Sequence, residues 1–303
     1  MSFRLRETDC RTLAFLAEYR TLTPAQITAL HQKGKQAVWR RLRILEKEGL
    51  IGSVRYELGR RRGRPERLLG LMEHGVSILK ERGLIRKDVP YEKVAAAGVP
   101  CVDHQLSLNW FRIHLTQVER VLPRLSVRVL AHNSPFLPES PDGGLCITDH
   151  SPVPGSGTQG VKFTPDAVFV TCDSVVPKAC LFFLEVDCGT ETIASPKRDL
   201  TDIRQKVINY QWYFQSQRYK RYEDVFQCRL RGFRLLFLTN SLGRLTALCR
   251  LTQEIPPSNF VWLTECSRLF PEGVSAEIWA KGGDLQGRGQ SILGSLCCPA
   301  PLP

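Results

Sequence analysis

The sequence predicts an α/β protein in two parts: a basic helical module carrying a β-hairpin, then a larger domain built on a mixed sheet. Three observations predict it. Apolar residues recur at helical spacing three times within the first 50 positions, and two short β runs follow. From residue 101 the elements read helix, strand, strand, strand, helix, strand, helix, strand, an order that makes a mixed sheet with helices on it. The charge is uneven. Residues 1–100 hold 21 Lys+Arg against 11 Asp+Glu, a net +10 of the chain's +12, and the remaining residues are nearly neutral. One part is therefore suited to a polyanion and the other to a different task.

Taken in order, residues 8–19 place Leu13, Leu16 and Ala17 on one helical face, with Thr8 expected to cap the start. Thr23-Pro24 opens a second helix, whose apolar face is Ile27 and Leu30. After Gly34, residues 35–48 place Val38, Leu42 and Leu45 at i, i+4 and i+7, and Gly49 ends the run. Lys35, Gln36, Arg40, Arg43 and Lys47 are left facing outward. A short helix, a turn and a basic amphipathic helix suit the DNA major groove. Residues 50–56 and 67–71 read as a hairpin whose tip, Gly59-Arg60-Arg61-Arg62-Gly63-Arg64-Pro65, gathers arginines that repel one another unless phosphates lie between them. Residues 73–82 form a closing helix. These features, over residues 8–83, resemble the winged-helix family, which implies a winged helix-turn-helix that binds double-stranded DNA through Lys35, Gln36, Arg40, Arg43, Arg60, Arg61, Arg62 and Arg64.

The expected domains are residues 1–86, a linker at 87–100 without a sustained period, a second domain at 101–280, and a flexible tail at 281–303 rich in glycine. In the second domain, residues 103–122 read as a helix, 126–130 as a strand and 133–160 as a loop. Residues 163–172 and 179–187 read as a hairpin. A long helix is expected over 198–218, a buried strand over 233–239, a helix over 242–253 and a last strand over 260–264. Strand alternation puts Glu185 and Asp187 on one face, with Asp166 across the hairpin. Carboxylates brought this close favour a hard cation, Mg²⁺ or Mn²⁺. The alternative is that Asp166 caps a strand and Glu185 forms an ion pair.

Asp166 and Glu185 on adjacent strands resemble the metal-binding pair of the PD-(D/E)XK nuclease superfamily. Asp187 stands where that superfamily has a catalytic lysine. Lys206 and Tyr210, at i and i+4, are similar to the Q-x-x-x-Y motif of RecB-like nucleases, which implies that Lys206 returns a positive charge to the site. His104 resembles the metal-binding histidine of that group; it also reads as a helix-start histidine with no ligand role. The resemblance implies catalytic roles for Asp166, Glu185, Asp187 and Lys206, with metal held by Asp166, Glu185 and His104. Together, the winged helix, His104-Gln105-Leu106, Pro165–Ala167, Glu185–Glu191 and Lys206–Tyr210 resemble the replication-relaxation family of mobile-element proteins. The family's common Glu-x-Asp makes Asp187 ordinary there. The resemblance implies a mixed-sheet PD-(D/E)XK nuclease-like domain, and a role in plasmid replication, relaxation or mobilisation. It also implies a relaxase or replication protein as partner, or a second copy of the chain. Two functions compete: a Mg-dependent DNA-nicking or cleaving enzyme, and a DNA-binding accessory or regulator whose nuclease-like domain is a scaffold.

Other classes are disfavoured. No apolar run approaches the roughly 18–20 residues that span a bilayer. The first residues lack the pattern of a signal peptide, so the cytoplasm is expected. The 11 cysteines include no C-x-x-C pair, which argues against zinc, and a reduced cysteine packs as a small hydrophobe.

Overall fold

The computed structural model describes residues 3–54, 67–96, 101–140, 143–152, 160–175, 178–195 and 202–294. They divide into two units. The first runs to Ile113 and includes Asn133–Phe136; the second comprises His114–His132 and the chain from Leu137.

In the first unit, α1 (Glu7–Tyr19) is capped at Arg6 and starts two residues earlier than a Thr8 cap would place it. The helix-start donor is satisfied by Asp9, whose Oδ2 accepts from the Arg6 N–H at 2.7 Å. α2 (Pro24–His31) is capped reciprocally: Thr23 Oγ1 accepts from the Gln26 N–H, and the Thr23 N–H donates to Gln26 Oε1, both at 3.1 Å. α3 (Lys35–Lys47) buries Val38, Leu42 and Leu45, as its period requires. Gly49 follows it at φ +68°, a left-handed turn that glycine takes without strain. β1 (Ile51–Ser53) pairs antiparallel with β2 (Leu69–Leu71), Ile51 opposite Leu71, and α4 (Glu73–Glu81) closes over them with Val76 and Leu79 buried.

The linker expected at 87–100 is corrected in its described part. Val89 and Val94 are buried in the first unit's core; Val94 ends α5 (Tyr91–Val94), which is tied to β2 by the Tyr91 hydroxyl donating to the Leu71 carbonyl at 3.2 Å. A four-residue helix is too short to show a period. The unit boundary also lies later than residue 101, inside α6 (Val102–Val121). There Gln105 and Asn109 donate to the Tyr19 and Thr21 carbonyls at 3.2 and 2.8 Å, so polar side chains join the helix to the first unit.

The second unit adds β3 (Leu125–Ala131), β4 (Asp149–Pro152), β5 (Gly160–Phe163), β6 (Ala167–Asp173), β7 (Lys178–Asp187), α7 (Ile203–Gln215), α8 (Tyr222–Phe226), β8 (Phe233–Thr239), α9 (Leu242–Glu254), β9 (Val261–Glu265), α10 (Cys266–Glu272) and β10 (Ala280–Lys281). The mixed sheet has six strands in the order β10-β9-β8-β7-β6-β3. β7, β8 and β9 run parallel, and β6 is antiparallel to both β3 and β7. Val168, Phe183, Leu235 and Phe237 from the sheet are buried with Tyr210 and Tyr213 of α7 in one core.

Four expectations change in this unit. The stretch read as a loop over 133–160 contains β4, which pairs with β5; Asp-His-Ser-Pro carries no β-branched signature. Phe163 therefore ends a separate strand, and β6 begins only at Ala167. The long helix begins at Ile203 because Asp202 caps it, accepting from the Gln205 N–H at 2.8 Å. Residues 281–294 are not a tail. Lys281 pairs with Trp262, Gln290 bridges Trp279, and Ile292 and Leu293 are buried. Among the described residues no helix is long and apolar enough to cross a membrane.

Candidate functional site

The first candidate surface is the outer face of α3. Lys35, Gln36, Arg40, Arg43 and Lys47 are all exposed there, opposite the buried Val38, Leu42 and Leu45. Trp39, 38% exposed, joins them, with the Lys35 ammonium 5.6 Å from its ring centre. Trp39 is not among the outward residues expected on α3, although its place beside Val38 and off the apolar stripe marks it in the sequence. Arg41 is a different kind of arginine. It grips the fully buried Asp9, Nε to Oδ1 and a terminal nitrogen to Oδ2, each at 2.6 Å. That pair pins α3 to α1. Arg60, Arg61, Arg62 and Arg64 lie outside the described residues. Arg67, two residues before β2, pairs with Glu46.

The second candidate is a carboxylate corner at the end of β7. Ala167 stands opposite Leu184, so Asp166, one residue earlier, falls beside Glu185. The Asp166 N–H donates to the Leu184 carbonyl at 3.0 Å, and Asp166 Oδ2 accepts from the Val186 N–H at 2.7 Å. Glu185 is 5% exposed. Its two oxygens are both engaged by α7: the Tyr210 hydroxyl donates to Oε1 at 2.6 Å and Lys206 Nζ to Oε2 at 3.1 Å. Lys206 also donates to Glu191 at 3.1 Å. The i, i+4 spacing of Lys206 and Tyr210 aims both at one carboxylate.

Electrostatics follow from this burial. Desolvation pushes the Glu185 carboxyl up to about 7; Lys206 opposes the rise, Asp166 adds to it, and the Tyr210 hydrogen bond opposes it. Burial alone would lower Lys206, but Glu185 and Glu191 hold it above the ordinary lysine value. Because folding raises the Glu185 pKa, the folded chain holds an extra proton between about pH 4.3 and 7, and stability falls as pH rises through that window. Glu185→Gln should remove this slope. Its unfolding free energy relative to wild type should improve by roughly 3 kcal/mol from the bottom of the window to the top. Urea titrations at the two ends check it, and a constant difference would assign the slope elsewhere.

The remaining predicted residues fall differently. Asp187 is buried and held by Arg244 of α9, whose Nε and terminal nitrogen meet its two oxygens. That guanidinium also donates to the Glu191 carbonyl at 2.6 Å. His104 belongs to the first unit, whereas Asp166 and Glu185 belong to the second. The histidine beside Asp166 in that unit is His132, its Nδ1 3.4 Å from Asp166 Oδ1. Only the β3–β6 register, Ala131 opposite Ala167, brings it there, and no motif marks it. Among the described residues no three His, Cys, Asp or Glu side chains group as they would around a metal ion.

A family model described as replication-relaxation matches residues 13–228. No curated protein and no solved structure matches the chain.

Proposed function

The chain belongs to the replication-relaxation family, and from that premise we propose that it is a DNA-binding protein acting in the replication or relaxation of a plasmid or other mobile element. The observation that carries this reading is α3, which buries an apolar stripe and turns Lys35, Gln36, Trp39, Arg40 and Arg43 to solvent. In this reading α2, α3 and the β1–β2 hairpin form a winged helix-turn-helix. α3 enters the major groove, and Arg60, Arg61, Arg62 and Arg64 reach the phosphates beside it.

Duplex affinity should then fall steeply with salt, because the basic side chains displace condensed counterions. For about five phosphates the slope of log K against log salt is roughly −4 to −5. Replacing the four hairpin arginines by alanine should flatten it. Arg40→Ala or Arg43→Ala should cost roughly 1–3 kcal/mol on a preferred sequence and little elsewhere. An unchanged salt slope in the four-arginine variant would take the hairpin off the DNA.

The charge of the carboxylate corner favours a second reading, in which the nuclease-like second unit acts on phosphodiesters. Lys206 brings one positive charge to Glu185 and Glu191, and Asp166 lies beside them, so negative charge is in surplus. Two carboxylates are too few to enclose a resident ion, but they suit Mg²⁺ or Mn²⁺ shared with a bound phosphate. Asp166 and Glu185 would hold it, and it would polarise the phosphate and acidify a water. Lys206 would stabilise charge developing on the phosphate. Asp187, already neutralised by Arg244, has no part in this reading. Supercoiled plasmid incubated with Mg²⁺ or Mn²⁺ tests it. Nicking that disappears in Asp166→Ala and Glu185→Ala supports it. Intact plasmid under both metals, with duplex binding retained, removes it and leaves the accessory role.

A further inference from the structure

The parallel strands β7, β8 and β9 all begin at the edge of the sheet opposite Glu185 and Asp187. A cavity of about 700 Å³ opens at that edge, within the size range of ligand sites. Five exposed cations line it: Lys178 at the start of β7, Arg229 and Arg231 ahead of β8, Arg234 on β8, and Lys281 on β10. No Asp or Glu is among its described lining residues. Arg229 has a long contact to Glu223 at 3.9 Å, and the Arg234 guanidinium lies 4.5 Å from the Trp262 ring centre. Among the described residues no ion pair engages Lys178, Arg231 or Lys281. Like charges gathered round one hollow repel, and an anion entering it relieves that repulsion.

The hollow also presents an aromatic face. Phe214, at the end of α7, is 37% exposed; one side of its ring stacks on Tyr219, ring centres 5.7 Å apart, and the ring centres of Phe233 and Phe260 lie 5.3 and 5.8 Å away. It lies directly on the chain at Gly232, where a Cβ would come within 3.1 Å of the ring. Glycine at that position leaves room for the ring edge, which a Cβ would crowd by a few tenths of an ångström.

We propose that this cavity binds single-stranded nucleic acid, with the five cations on the phosphates and a base stacked on Phe214. A free phosphate would use the cations and ignore the ring, and a duplex keeps its bases stacked on one another. A single strand uses both features. The site is separate from α3, so failure of duplex binding would leave it standing.

The test is fluorescence anisotropy of a labelled oligothymidylate on the full chain, beside a labelled duplex. Arg231→Glu combined with Lys178→Glu should weaken the oligothymidylate by roughly tenfold or more. Phe214→Leu, which keeps apolar packing on Phe233, should weaken it by roughly five- to tenfold. The Lys35/Arg40/Arg43→Ala variant should weaken the duplex instead. Unfolding midpoints equal to wild type verify that the variants fold; both charge reversals are at exposed positions, so they test the site even if Phe214→Leu does not fold. Unchanged oligothymidylate affinity in the charge-reversed variant overturns the proposal. So does a Phe214→Leu variant that folds and binds as wild type, or displacement of the strand by tripolyphosphate or polyglutamate at equal charge concentration.

Discussion

Replacing Arg41 by alanine lowers the stability of the first unit by about 3–5 kcal/mol, the cost of breaking a buried pair from one side. Asp9 is fully buried, and both its oxygens are taken by the Arg41 guanidinium. Among the described residues, loss of Arg41 leaves a carboxylate in the core with the Arg6 N–H as its remaining donor. The guanidinium also donates to the Arg4 carbonyl at 2.8 Å, so the chain ahead of α1 loosens as well. Chemical denaturation measures the loss, and hydrogen exchange along α1 and α3 locates it. Adding Asp9→Asn to the variant should recover part of the stability, because the amide oxygen still accepts from Arg6 and brings no charge. A loss below about 1 kcal/mol would place the pair among ordinary surface ion pairs.

Arg244→Ala has a comparable expected effect in the second unit, about 3–5 kcal/mol. Asp187 is 6% exposed, and without Arg244 its carboxylate would keep only the Gly189 N–H, at 2.9 Å, among the described residues. Asp187→Asn should cost less, since Arg244 keeps the Glu191 carbonyl. The double variant should fall short of the summed losses by roughly 0.5–3 kcal/mol, the coupling of groups in direct contact. Additive losses in this double-mutant cycle would mean that the two groups are not paired. Stabilisation by Mg²⁺ in wild type that vanishes in Asp187→Asn would make Asp187 a ligand of the proposed cation.

Much of α3 was legible because a helix repeats its environment every 3.6 residues. Val38, Leu42 and Leu45 declare the buried face, and the basic residues declare the other. Local chemistry similarly marked Thr23-Pro24 as a helix start and Gly49 as a helix end. Lys206 and Tyr210 were readable as a pair, since i, i+4 residues share a helix face whatever surrounds them. The short pieces were not legible. α5 and β4 hold only four residues each, too few for a period, and the buried Ile292 and Leu293 follow a glycine-rich stretch that looks like a tail.

By itself, the sequence determined the α/β class, the uneven charge, the positions of the long helices and strands, and the residues that α3 turns outward. Each depends on neighbours within a turn or two, or on composition alone. Tertiary structure alone decided which charges meet. Asp9 finds Arg41 across 32 positions, Glu185 finds Lys206 and Tyr210 across 21 and 25, and Asp187 finds Arg244 across 57. His132 reaches Asp166 through strand register, and the basic cavity forms where the starts of three parallel strands share an edge. The physical reason is range. Periodicity and capping act through the local backbone, whereas ion pairing, register and cavity lining depend on distances that exist only once the sheet has closed.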